Sequence, residues 1–187
     1  MKLGLPDPPL ADELVALRPW QRSDVPIIVA ACRDPETACW TTVPQPYTDE
    51  DAREWVERCE SAWSEGSTPL AVTARESGGV VAAITMWTVR EGVGEFGYWA
   101  VPAKRGRGYV PRALRLLCGW AFAERGLQRL QLGTFPGNTG SERVAEKVGF
   151  RREGVLRRWM LQRGEGRDMT MWSLLPGELT DLVADSN

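Results

Sequence analysis

The chain has 187 residues, 43% hydrophobic and 26% charged, which suits one domain with a substantial core. Its net charge of −2 excludes the broad basic surface of a general nucleic-acid binder, and no apolar run approaches the roughly 20 residues that span a bilayer. Histidine is absent, which excludes Ser-His-Asp and Cys-His nucleophile systems, His–zinc sites and histidine bases; proton transfer falls to carboxylates, hydroxyls, Tyr, Lys, Cys or water.

Residues 1–11 contain Pro6, Pro8 and Pro9 and read as a loose arm without the apolar segment of a signal peptide, so a cytoplasmic location is expected. A first strand is predicted at Leu14–Leu17. A helix then starts at Ser23-Asp24, with Pro26 in its first turn, and ends near Arg33-Asp34-Pro35. Thr48 and Asp51 form a capping box for a helix that runs to about Ser64, with Ala52, Trp55, Val56 and Cys59 on one face. Trp55 and Trp63 read as core or hinge packing. Strands at Leu70–Ala74, Val80–Val89 and Glu95–Val101, joined by Gly78-Gly79 and Gly92-Val93-Gly94, read as an antiparallel meander. A helix from about Val110 to Arg125 carries Ala113, Leu114, Leu117, Ala121 and Phe122 at helical spacing and stops at Gly126. Leu130–Leu132 is a strand. Asn138 or Thr139 opens a short helix closed by Gly149, and Phe150–Leu161 and Met169–Leu175 are the last strands. Cys32, Cys39, Cys59 and Cys118 are scattered, so buried or inert thiols are expected and no metal site.

The basic cluster Lys104, Arg105 and Arg107 precedes a helix start. A helix N-terminus offers unpaired N–H donors and about half a positive charge, which suits a diphosphate. Gly106 and Gly108 let the backbone bend and approach a ligand, Arg105 and Arg107 add charge, and Pro111 belongs in a first helical turn. Taken alone, Arg-Gly-Arg-Gly is a generic anion site. It gains meaning from the strand before it and from Asn138 to Ser141 downstream.

Gly97-Tyr98-Trp99, Arg105 to Tyr109, Pro136-Gly137-Asn138-Thr139-Gly140-Ser141 and Val144 to Gly154, in that order, resemble the GNAT acetyltransferases. Within them the chain is most similar to the RimJ/RimL-like branch, whose best-known members acetylate N-termini of ribosomal proteins. Leu17-Arg18-Pro19 and Pro46-Tyr47-Thr48 with Asp51-Ala52 and Trp55-Val56 extend the similarity over roughly residues 12–176. The resemblance implies an α+β fold. Its mixed, mostly antiparallel sheet has about seven strands with splayed central strands, flanked by about four helices. The expected division is an arm 1–11, one GNAT domain 12–176 and a tail 177–187.

The resemblance also implies acetyl-CoA as co-substrate. Backbone of Trp99, Ala100 and Val101 would meet the thioester and pantetheine. Arg105, Gly106, Arg107, Gly108, Tyr109 and Val110 would hold the pyrophosphate, Asn138 would contact the pantetheine, and Ser141 would lie near the sulfur. An amine attacks a thioester directly, so no enzyme nucleophile is required. The ammonium must lose a proton, the oxyanion needs donors and the thiolate needs a partner. Glu95, acting through water, is the candidate base because it shares a face with Gly97 and Trp99. Glu91 and Glu153 are further candidates, Glu153 with a structural arginine pairing as its alternative. Backbone N–H groups near Trp99 to Val101 are the oxyanion donors, and Ser141, or else a nearby Tyr, is the thiolate partner.

Three positions depart from the family pattern. Val110 would narrow the diphosphate cradle, Gly137 loosens the turn before Asn138, and Gly133 would leave space beside the acyl group. Of the nine tryptophans, Trp40, Trp87, Trp99 and Trp159 fall on segments bordering an acceptor groove, with one or two expected at the site. The expected reaction is acetyl transfer to a primary amine at a protein or peptide N-terminus. A small amine (antibiotic or polyamine) is the alternative acceptor, and a non-catalytic acyl-CoA-binding module is the third reading. A homodimer is the candidate assembly, with neither nucleic acid nor membrane as partner.

Overall fold

Strand and helix periodicities sort the apolar residues onto a sheet covered on both faces. The computed structural model describes residues 3–180; residues 1–2 of the expected arm and 181–187 of the expected tail lie outside them. The strands are β1 (Val15–Arg18), β2 (Ser67–Ala74), β3 (Val80–Arg90), β4 (Val93–Ala100), β5 (Arg129–Thr134), β6 (Arg151–Gln162) and β7 (Glu165–Leu174). The helices are α1 (Val25–Cys32), α2 (Pro35–Trp40), α3 (Asp49–Ala62), α4 (Tyr109–Ala123) and α5 (Thr139–Val148). The seven strands form one sheet in the order β1-β2-β3-β4-β5-β7-β6, antiparallel except between β4 and β5.

α4 buries Ala113, Leu114, Leu117, Cys118 and Ala121 completely, on one helical face against Leu70, Val72, Ile84, Leu130 and Leu132. Full burial of each leucine contributes roughly 1.5–3 kcal/mol. The opposite face of the sheet carries α1 and α3, whose Ile28, Cys32, Ala52, Val56 and Cys59 pack on Ala71 and Ala83. β2 is therefore buried at nearly every position rather than at alternate ones. Thr48 and Asp51 make the expected capping box of α3, and Gly149 at φ +105° ends α5 in the left-handed conformation that glycine tolerates. Among the described residues no helix is long and apolar enough to cross a membrane.

Two features differ from the sequence expectation. The segment expected to be a loose arm lays Leu3 into the core at 1% exposure, the Gly4 N–H donates to the Trp63 carbonyl, and the Thr68 hydroxyl donates to the Gly4 carbonyl. Burial of one large side chain outweighs the local preference of a Pro-rich stretch. The short α2 is additional. Asp34 caps it by accepting from the Thr37 N–H, and Pro35 occupies its first turn.

Candidate active site

The parallel pairing of β4 with β5 runs only from Val93↔Arg129 to Phe96↔Leu132. Beyond it, β4 stays with β3 through Ala82↔Ala100, while β5 stays with β7 through Thr134↔Thr170. The two halves of the sheet separate there, and a cavity of about 830 Å³ opens between them, bordered by the loop before α4 and the start of α5.

In the antiparallel ladder, residues bonded to a partner alternate with residues that turn their backbone the other way. The Val101 N–H donates to the Val81 carbonyl at 2.9 Å. Trp99, two residues earlier, faces β3 in the same way, whereas Tyr98 and Ala100 turn their backbone groups into the opening. This corrects the expected contacts at Trp99, Ala100 and Val101. Ala100 keeps a free backbone edge, Tyr98 joins it, Val101 is already satisfied, and Trp99 reaches the cavity by its side chain.

Gly106 and Gly108 have φ of +74° and +78°, and Gly108 is the N-cap of α4 with no side-chain cap. A Cβ at either position would meet no atom within 4 Å. Among the described residues, the N–H groups from Gly106 to Val110 donate to no protein acceptor, so the loop presents a set of donors at the positive end of a 15-residue helix. Arg107 and Tyr109 border the cavity. Arg105 differs from expectation. Its guanidinium is engaged by Asp34 at 2.5 Å, Glu36 at 2.6 Å and Thr37 at 2.9 Å, so its charge is neutralised and it braces the loop against α2. Only its backbone is left for a ligand. The Val110 side chain is buried in the core and does not narrow the cradle, leaving its N–H directed outward.

Asn138 caps α5 by accepting from the Ser141 N–H at 3.1 Å, which leaves its amide nitrogen for the cavity it lines. The Ser141 hydroxyl donates to the Tyr98 oxygen at 2.7 Å, and the Tyr98 hydroxyl donates back to the Ser141 carbonyl at 3.2 Å. Burial pushes the Tyr98 hydroxyl well above the ordinary tyrosine range, against a smaller opposing effect of Ser141, so it stays protonated and can donate. Tyr98 alternates with Phe96 on the face covered by α4, and is the tyrosine that stands beside Ser141.

Glu95 lies on the cavity side, half-buried, and accepts from Gln131 at 2.6 Å. The other end of Gln131 accepts from Arg129 at 3.3 Å, and Arg129 forks onto Glu153 at 2.8 and 2.6 Å. Arg129 thereby fixes which end of Gln131 meets Glu95. Glu153 also accepts from Ser173 at 2.7 Å; the Arg129 bonds, then Ser173, hold its carboxyl down at about 2. The structural alternative for Glu153 is the one found. Glu91 is exposed in the turn before β4 and does not border the cavity.

Gly133 leaves no room beside an acyl group. A Cβ there would stand 2.7 Å from the Met169 Cγ and Sδ, so Met169 occupies that volume. Gly137, at φ +90°, lies against Trp40. Trp40, Trp87, Trp99 and Trp159 all line the cavity, exceeding the one or two expected, and Trp55 joins them. Three of the four cysteines are buried; desolvation raises the Cys32 thiol to about 11 and the Cys59 thiol to about 12.

The family model described as an acetyltransferase (GNAT) domain matches residues 15–151. The chain is 26% identical to the uncharacterized N-acetyltransferase p20 of Bacillus licheniformis over 173 residues, covering 90% of this chain and 97% of p20. It is 38% identical to the probable N-acetyltransferase YjcK of Bacillus subtilis over 79 residues, 42% of this chain, so the match spans less than half of YjcK, 44% of its length. Among solved structures, the Mycobacterium smegmatis RimJ complex with CoA-disulfide superposes with a TM-score of 0.80 at 22% identity, covering 92% of this chain and 88% of RimJ. That likeness is one of fold.

Proposed function

Because this chain belongs to the GNAT acetyltransferase family, we propose that it moves an acetyl group from acetyl-CoA to a primary amine. The observation that carries this reading is the separation of β4 from β5 after Phe96 and Leu132, beside an uncapped helix start with free N–H donors. Those donors, with Arg107, suit a diphosphate. Asn138 and the free backbone edge of Tyr98 and Ala100 suit the amide-bearing pantetheine.

The chemistry divides among this chain's own groups. Glu95, held by Gln131, takes the proton from the ammonium through a water. The Ala100 N–H donates to the carbonyl oxygen as negative charge develops there. The Tyr98 hydroxyl turns from the Ser141 carbonyl, its longer bond at 3.2 Å, to donate to the departing sulfur, while the Ser141 hydroxyl keeps donating to the Tyr98 oxygen. The first reading of the acceptor is a peptide or protein N-terminus. The small-amine reading is favoured by the cavity's aromatic lining, which can hold a single flat molecule.

CoA release is measured with peptides beginning in Ala or Ser and with a panel of small amines. Turnover on any primary amine supports the acetyltransferase reading. Tight acetyl-CoA binding with no turnover on any amine refutes it in favour of a non-catalytic binding module.

A further inference from the structure

The tryptophans bordering the cavity fall into two groups. Trp55 and Trp99 pack on the buried Trp20, which does not line the cavity, with ring centroids 5.1 and 6.0 Å from it, and their faces are largely spent on that packing. Trp40, Trp87 and Trp159 also border the cavity or line it, yet none stacks on another aromatic ring among the described residues. Trp159 is 61% exposed, an unusual state for an indole with no partner.

Its position is built rather than incidental. Between Leu156↔Met169 and Met160↔Arg167, β6 advances four residues while β7 advances two. The excess forms a bulge at Arg157–Trp159. Arg158 sits in it at φ +50°, a conformation that side chains other than glycine rarely adopt. The Asp168 carboxylate accepts from the Arg158 N–H at 2.9 Å and pins the bulge, and the Arg158 side chain lies over Gly166. The hairpin is anchored beyond the bulge, where Gln162 donates to the carbonyls of Cys39 and Thr41 at 3.0 and 2.7 Å. Strain is thus held at the one point that delivers Trp159 to the cavity rim.

The charges of the cavity narrow the ligand further. Of its three carboxylates, Glu36 is paired with Arg105 and Asp51 is bonded to Thr48, so Glu95 is the one not engaged by a cation or a helix cap. Trp87 stands directly across from Glu95 in the β3–β4 register, with its ring packed over Gly97. A single carboxylate beside an aromatic wall suits one ammonium carried by a flat ring and does not suit a polycation.

Resting on the acetyltransferase reading, we propose that the preferred acceptor is a primary amine joined by a short linker to a flat aromatic group, and that Trp159, on its pinned bulge, determines this preference. The amine carrier is either a free arylalkylamine or a peptide whose first side chain is aromatic.

The test compares kcat/KM for tryptamine and 2-phenylethylamine with n-butylamine and spermidine, and peptides starting in Phe or Trp with those starting in Ala or Ser. Aromatic acceptors are expected to be favoured by about tenfold, the scale of one aromatic stacking contact with its buried area. Trp159→Ala brings the ratio to near one, Trp159→Phe retains most of it, and Asp168→Ala weakens it by releasing the bulge. Trp159 is exposed, so its replacement leaves the core intact. Equal kcat/KM for aromatic and aliphatic amines, or a preference that survives Trp159→Ala, overturns the proposal while leaving the acetyltransferase reading standing. If no amine turns over, that reading fails and equilibrium binding decides this one: tryptamine must bind the CoA-loaded protein more tightly than n-butylamine, and must lose that advantage in Trp159→Ala, or the proposal is overturned.

Discussion

Replacing Gly108 separates the conformational cost of the diphosphate cradle from its electrostatics. Gly108 sits at φ +78°, and a Cβ there meets no atom within 4 Å. Any side chain therefore incurs the left-handed penalty of roughly 1–2 kcal/mol and no clash. For a domain of this size that lowers Tm by about 2–8 °C. Gly108→Gln and Gly108→Glu share this cost and nearly the same bulk, and differ by one negative charge. Two diphosphate charges at about 4 Å repel a carboxylate by roughly 1 kcal/mol each at the dielectric of water, and by more where the site is drier. The Glu variant should therefore bind CoA at least about 30-fold more weakly than the Gln variant, with a gap that narrows as salt is raised. Calorimetric titration of CoA into both variants, with thermal melts as the folding control, reads this directly. Equal affinities for the two variants refute the placement of the diphosphate at this helix start.

Three further predictions follow from the same geometry. Glu95→Gln is expected to lower kcat by about 100-fold or more while CoA affinity holds; an unchanged kcat–pH profile removes Glu95 as the base. Arg129 holds the Glu153 carboxyl down at about 2 in the fold, below the ordinary glutamate value of 4.5, so its contribution to stability is complete above about 4.5 and is lost as pH falls toward about 2. Melts of wild type and Glu153→Gln from pH 7 to pH 3 should converge with acidification, and a constant gap contradicts the pairing with Arg129. Gly133→Ala forces a Cβ to within 2.7 Å of Met169 and should destabilise by about 1–3 kcal/mol, and the Gly133→Ala/Met169→Ala double variant should lose less than the sum of the two single losses, because the buried Met169 side chain is what the new methyl meets. Chemical denaturation of the single and double variants measures this, and additive losses contradict the contact.

The features legible in the sequence are those whose cause is local. The capping box at Thr48 and Asp51 lies within four residues, as do the helix start at Asn138 and the glycine stop at Gly149, and each is found where expected. Hydrophobic spacing along α4 is equally local, because one helical face must meet the sheet. The left-handed Gly106 and Gly108 ahead of that helix belong to the same class. α2 is not legible in the sequence because six residues are too few to show a helical period, although Asp34-Pro35 marks its start.

What only the tertiary structure decided involves partners distant along the chain. Arg105 was read as a phosphate ligand because its neighbours are a basic glycine loop, yet its carboxylate partners stand about seventy positions earlier, on a helix brought close by the fold. Val101 was read as a free donor, and strand alternation against β3 satisfied it. Met169 fills the space that Gly133 vacates because β7 pairs with β5. The point at which β4 leaves β5 also carries no local mark, since it depends on which neighbour each strand keeps. Sequence alone therefore determined that a helix start with bare N–H donors follows a strand, with Asn138 and Ser141 opening the next helix. The fold decided which of those groups remain free, because a hydrogen-bonding group is available to a ligand only where no distant partner has already satisfied it.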